Sequence, residues 1–156
     1  MNTIKETIMR HPFFQGMRAE HVDLLAQDAV EKTFETGDIL FLQEEPAADF
    51  YLLESGRVAI EAHEPADGTT QVQVVETGDV VGWSWLFPPF VWHFQARALQ
   101  PTRVVVLNGG RLLVEAERDP EFGFELMKRI AQVVIRRLQA TRTQLLRTEL
   151  EGALRD

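Results

Sequence analysis

Apolar residues recur at spacings of three and four in two short stretches near the start of the chain, Ile4 to about Arg10 and Ala19 to about Gln27. Each spacing predicts a short amphipathic helix, the second built on Val22, Leu24 and Leu25, with Phe13 and Phe14 as an apolar link between them. From Val30 to Leu107 the pattern changes to short runs rich in Val, Ile, Phe and Tyr. Turn chemistry separates these runs at Glu35-Thr36-Gly37-Asp38, Ser55-Gly56, Pro65-Ala66-Asp67-Gly68 and Thr77-Gly78-Asp79. Gln71-Val72-Gln73-Val74 alternates as a strand with one wet face does, whereas Tyr51-Leu52-Leu53 and Val104-Val105-Val106-Leu107 read as buried strands. Regularly spaced strands of this kind predict a sandwich or barrel.

After Asn108-Gly109-Gly110 the helical period returns. Arg111 to Glu117 predicts a short helix, and Asp119 before Pro120 is a cap followed by proline at the first helical position, so a long helix is expected from about Pro120 to Leu150. Ala131, Val134, Leu138, Thr141, Leu145 and Thr148 are spaced alternately by three and four, the seam of a coiled coil and a candidate homodimer interface. A second stripe, Leu126, Ile130, Val133 and Ile135, is expected to face the β-structure. With no repeat, low-complexity tract or linker, the expectation is one domain over residues 1–156: helices in 1–28, β-structure in 29–108 and helices in 109–150.

Composition narrows the chemistry. Cysteine is absent, which excludes disulfides, thiolate metal sites and cysteine catalysis and fits a reducing cytoplasm. No signal-peptide core and no apolar run of membrane-spanning length is present, so a soluble cytoplasmic protein is expected. The net charge of −8 opposes binding a polyanion. Against that balance Lys128, Arg129, Arg136, Arg137, Arg142 and Arg147 cluster on the long helix, which reads first as a solvated face and second as a docking face for an acidic partner. His11, His21, His63 and His93 are scattered singly, and no glycine-rich phosphate loop, GxSxG or HExxH occurs. Neither an enzyme nor a metal site is predicted.

All three tryptophans fall in one stretch, GWSWLFPPFVWHFQARA, together with Phe87, Phe90, His93 and Phe94. This cluster is the candidate ligand pocket, with Gly82, Trp83, Ser84, Trp85, Leu86, Trp92, His93 and Phe94 as its residues.

The order of elements, with HPFFQGM, FETGDILFLQEEPAADFYLLESGRVAI, GDVVG, ARAL and DPEFGFELMKRIAQVVIRRL, resembles the sensor half of the catabolite activator/FNR superfamily, a cyclic nucleotide-binding domain. Gly37, Phe50-Tyr51, Gly56-Arg57-Val58 and Gly82 carry the most specific part of that resemblance. It implies a mainly β fold, a double-stranded β-helix (jelly roll) of eight strands flanked by helices, and dimerisation through the long C-terminal helix. Glu44 departs from it at a turn position usually held by glycine.

A second departure bears on function. In the family the cassette glycine is followed by a glutamate that takes the ribose hydroxyl, and later by an arginine that neutralises the cyclic phosphate. Here Trp83 follows Gly82, and Trp92 or His93 falls where the arginine belongs; Arg97 matches a different, structural arginine. A buried phosphodiester without a cation is strongly disfavoured, so cyclic nucleotide is not expected in the usual mode and no cofactor is predicted. A partial rescue through protonated His93, Ser84 and backbone N–H groups after Gly82 stays open.

Two readings of the tryptophans follow. They fill a vacated pocket as core, or they line a pocket for a flat aromatic or haem-like ligand, for which His93 is the one nearby histidine. Members of the superfamily that read DNA continue into a helix-turn-helix, whereas only six residues follow Leu150, so no direct DNA binding is expected. The function expected is that of a non-catalytic regulatory module acting through dimerisation and an unidentified protein partner, the alternative being a genuine small-molecule sensor.

Overall fold

Local capping fixes where the helices begin. In the computed structural model, which describes residues 3–66 and 68–155 (for Arg155 the backbone alone), Thr3 and Glu6 form a reciprocal capping box at the start of α1 (Ile4–Arg10). Helix α2 (Ala19–Ala26) follows, buried through Val22 and Leu25. Asn108 caps α3 (Gly109–Arg118) by accepting the Arg111 N–H at 2.9 Å. The Asp119 carboxylate accepts the N–H groups of Glu121 and Phe122 at the start of α4 (Pro120–Arg155), which runs five residues beyond the expected end at Leu150. The backbone bond from Phe122, with smaller help from His21 at 3.2 Å, holds Asp119 below the usual carboxylate range.

Between the helices lie eight strands among the described residues: β1 (Val30–Phe34), β2 (Ile39–Phe41), β3 (Asp49–Ser55), β4 (Arg57–Glu64), β5 (Gly68–Glu76), β6 (Val80–Val81), β7 (Gln95–Ala98) and β8 (Thr102–Asn108). They form two antiparallel four-stranded sheets, ordered β1-β8-β3-β6 and β2-β7-β4-β5. This is the expected jelly roll with flanking helices. Asp67, in one of the anticipated turns, lies outside the described residues, as do Met1, Asn2 and Asp156.

Strand β3 is buried along Phe50-Tyr51-Leu52-Leu53 because structure covers both its faces. Phe50 meets Phe13 of the α1–α2 link at 5.3 Å and Trp85 at 5.8 Å, both edge to face. The β3–β4 hairpin turns through Gly56 at φ 119°, where a Cβ would sit 2.3 Å from Thr102 Oγ1 and 2.7 Å from its Cα. Only glycine fits that approach. Glu44 takes the left-handed conformation, φ 72°, that glycine would adopt freely, and its N–H donates to the Trp92 carbonyl at 2.7 Å. The departure at Glu44 thus leaves the turn geometry intact.

Helix α4 packs on the barrel through Phe122, Leu126, Ile130 and Val133, all buried. The fourth member of the expected stripe is a correction: Ile135 is 53% exposed. Two residues past Val133 a helix has turned about 200°, so Ile135 points away from the barrel. Arg137, four residues past Val133, continues the stripe instead.

Candidate functional site

Val81 and Gly82 lead from β6 into the tryptophan segment. Gly82 sits at φ 94°, and a Cβ there would lie 2.9 Å from the Trp92 ring and 3.1 Å from the Asp49 carbonyl. The short 3-10 helix Ser84–Leu86 follows, then Pro88-Pro89 with a cis peptide bond between them. The segment is tied back to the Glu44-Glu45 turn: Trp92 N–H donates to the Glu45 carbonyl at 3.0 Å, and Ala47 N–H to the Phe90 carbonyl at 2.8 Å.

The three indoles have different surroundings. Trp85 is buried, donates its N–H to the Gly82 carbonyl at 2.7 Å and lies so close to Gly109 that a Cβ there would be 2.3 Å from its ring. Trp92 is 4% exposed and stacks on Phe41 with ring centroids 3.9 Å apart. Trp83 is half-buried and carries the Arg137 guanidinium over its face at 4.7 Å.

A cavity of ≈ 350 Å³ remains between the tryptophan segment, the inner strands and α4. Six of the expected site residues line it: Gly82, Trp83, Ser84, Trp92, His93 and Phe94. Trp85 and Leu86 are corrections, since neither lines it. The 3-10 turn directs Trp85 to the opposite side, against α3 and Phe50. Phe41, Ile60, Val72 and Val81 complete the apolar wall, and α4 forms a further side with Val134, Arg137, Leu138 and Thr141. Of the expected dimer residues, Val134, Leu138 and Thr141 therefore face the cavity, while Ala131 and Leu145 lie on exposed helix surface away from it.

Arg137 is the residue that sequence reasoning missed. Within a run of basic residues it reads as solvated, yet Leu126, Ile130, Val133, Arg137 and Thr141 are spaced by three and four, and that spacing places Arg137 on the barrel side. Its guanidinium donates to the Val80 carbonyl, and its own carbonyl accepts from Gln73 Nε2 at 2.9 Å. Gln73 also donates to Thr141 Oγ1 at 3.0 Å, so α4 is fastened across β5. Burial brings the Arg137 pKa down to about 10; Asp79 opposes the shift and Arg136 adds to it. Arg97 does not line the cavity, because its guanidinium is held by Glu61 at 2.7 and 3.2 Å.

No acidic side chain lines the cavity; Arg137 and the exposed His93 are its basic residues. Among the described residues no three of His, Asp or Glu gather as a metal site, and no helix is long and apolar enough to cross a membrane.

Comparison with known proteins agrees with this architecture. A family model described as the cyclic nucleotide-binding domain matches residues 31–119. The crystal structure of a putative cyclic nucleotide-binding protein from Geobacter metallireducens superposes with a TM-score of 0.75 at 30% identity, covering 88% of this chain and 98% of that one. Among curated proteins, the CRP-like cAMP-activated global transcriptional regulator of Mycobacterium tuberculosis is 24% identical over 90% of this chain. The acetyltransferase Pat of Mycolicibacterium smegmatis is 39% identical over 45% of it. The chain spans 61% of the regulator's length and 21% of the acetyltransferase's. With a family model matching more than half of its residues and a jelly roll closed by a long helix, this chain belongs to the cyclic nucleotide-binding domain family.

Proposed function

We infer that the protein is a non-catalytic regulatory module whose pocket takes a small, largely apolar molecule in place of a cyclic nucleotide held in the usual mode. The observation that carries this reading is the ≈ 350 Å³ cavity walled by Phe41, Trp83, Trp92 and Phe94 and bordered by the long helix. Its size falls at the small end of the roughly 300–1,000 Å³ typical of small-molecule sites. Trp85 takes the part of a core residue, Trp92 is a core residue whose ring also borders the cavity, and Trp83 is a half-buried wall.

Val134 and Leu138 face this cavity and also belong to the apolar seam along α4, and Leu138 is 67% exposed on the single chain. A second copy covering the seam would rest on the same residues that touch the ligand. Occupancy and assembly are then linked, and the coupling is reciprocal: the ligand alters dimerisation by the same factor as dimerisation alters ligand affinity. Output passes from the helix to a protein partner.

Calorimetric titration with cyclic AMP and cyclic GMP at neutral pH tests the reading. No saturable isotherm is expected at micromolar concentrations. A one-per-chain isotherm of micromolar or tighter affinity overturns it.

A further inference from the structure

Arg137 presents a charge in an apolar setting. Among the described residues no carboxylate is ion-paired with it, although nine other Lys or Arg ion pairs are formed. Its immediate partners are a neutral carbonyl, that of Val80, and the face of Trp83. The guanidinium is half-buried, and Asp79 acts on it only through space and without an ion pair, so the field at its free N–H donors still favours an anion. The guanidinium lies over the Trp83 ring and gives one N–H to the Val80 carbonyl, which leaves further N–H donors of its planar fork for a carboxylate.

The remaining lining restricts the anion further. Apart from Arg137 the polar lining groups are Gln73, Ser84, His93 and Thr141, and two of these are committed, Gln73 donating to Thr141 and to the Arg137 carbonyl. No carboxylate lines the cavity, so a hydroxyl-rich ligand would meet only the neutral acceptors of Gln73, Ser84 and Thr141 and not the charge-assisted acceptor that a carboxylate supplies. Four aromatic walls, Phe41, Trp83, Trp92 and Phe94, favour a flat ring. Resting on the pocket reading above and deepening it, we propose that the ligand class is a small aromatic monocarboxylate of one or two rings, its carboxylate on Arg137 and its rings between the tryptophan segment and the inner strands.

Calorimetry with 2-naphthoate and its neutral counterpart 2-naphthamide, on wild type, Arg137→Gln and Arg137→Lys, tests the proposal. Wild type is expected to bind one 2-naphthoate per chain and to bind 2-naphthamide at least about tenfold more weakly, the ratio a charge-assisted bond supplies. Arg137→Gln should lose at least about tenfold for 2-naphthoate and keep its affinity for 2-naphthamide, which also shows that the variant's pocket is intact; Arg137→Lys should retain part of the preference. Equal binding of the two compounds to wild type, or a preference unaffected by the glutamine, overturns the anion assignment while leaving the pocket reading standing. If neither compound binds wild type, the pocket reading falls and this proposal with it. The comparison of the two compounds on wild type and Arg137→Lys decides the matter even if Arg137→Gln does not fold.

Discussion

Truncating Trp92 to alanine separates a tryptophan that is core from one that is wall. Trp92 is 4% exposed, stacked on Phe41 at 3.9 Å, with its ring edge against Gly82. An indole buries on the order of 200 Å², which at roughly 25 cal/mol per Å² is about 5 kcal/mol. The retained methyl group takes back about 1 kcal/mol, and loss of the aromatic stack restores a similar amount. The vacated space opens into the existing cavity and admits water, which tempers the penalty of an empty void. The expected loss is therefore about 3 to 5 kcal/mol, in line with other large-to-small core truncations. For a domain of this size that lowers the melting temperature by roughly 8 to 16 °C. Trp83→Ala removes a half-buried ring and its contact with Arg137, and should lose only about 1 to 2 kcal/mol. Urea unfolding of both variants, analysed for midpoint and slope, measures the difference. Equal losses, or a Trp92→Ala loss below about 2 kcal/mol, would refute the assignment of Trp92 to the core.

Two further expectations concern assembly and acid stability. Leu138→Glu sets a charge in each half of a two-fold seam where like charges meet, so sedimentation should show monomers; a variant that stays dimeric, or a wild type already monomeric at tens of micromolar, refutes the seam. The bond from Arg97, helped by Gln95, holds Glu61 below its ordinary value of 4.5 against the opposing effect of burial. The pair's stabilisation is thus complete above about pH 4.5 and is lost as pH falls through the lower folded value. Glu61→Gln should be less stable at neutral pH by about 1 to 3 kcal/mol and show a flatter acid limb; an unchanged acid limb contradicts this account.

Much of the fold was legible because its signals are local. Asp119 before Pro120 marks the start of α4 by chain chemistry alone, and Gly56 marks a hairpin whose tightness only glycine tolerates. The site was half legible. Six of its eight anticipated residues converge because one loop carries them, but Trp85 turned away, since a single 3-10 turn reverses the facing of adjacent residues. Phe41, Ile60, Val72 and Val81 come from four different strands, and no local pattern brings them together before the sheets are paired. The error at Ile135 and the omission of Arg137 share one cause. The barrel-facing stripe was followed by hydrophobicity, and at its fifth turn a long cation continues it, with its aliphatic stem against the barrel and its charge over an indole.

Native mass spectrometry of the protein purified from its own host, before and after denaturation, tests the central claim most directly, because it reads ligand and assembly together. The account predicts a dimer that releases one small organic molecule per chain on denaturation, with cyclic nucleotide absent. A bare chain at the mass of a monomer, or a dimer that releases stoichiometric cyclic AMP or cyclic GMP, would contradict it.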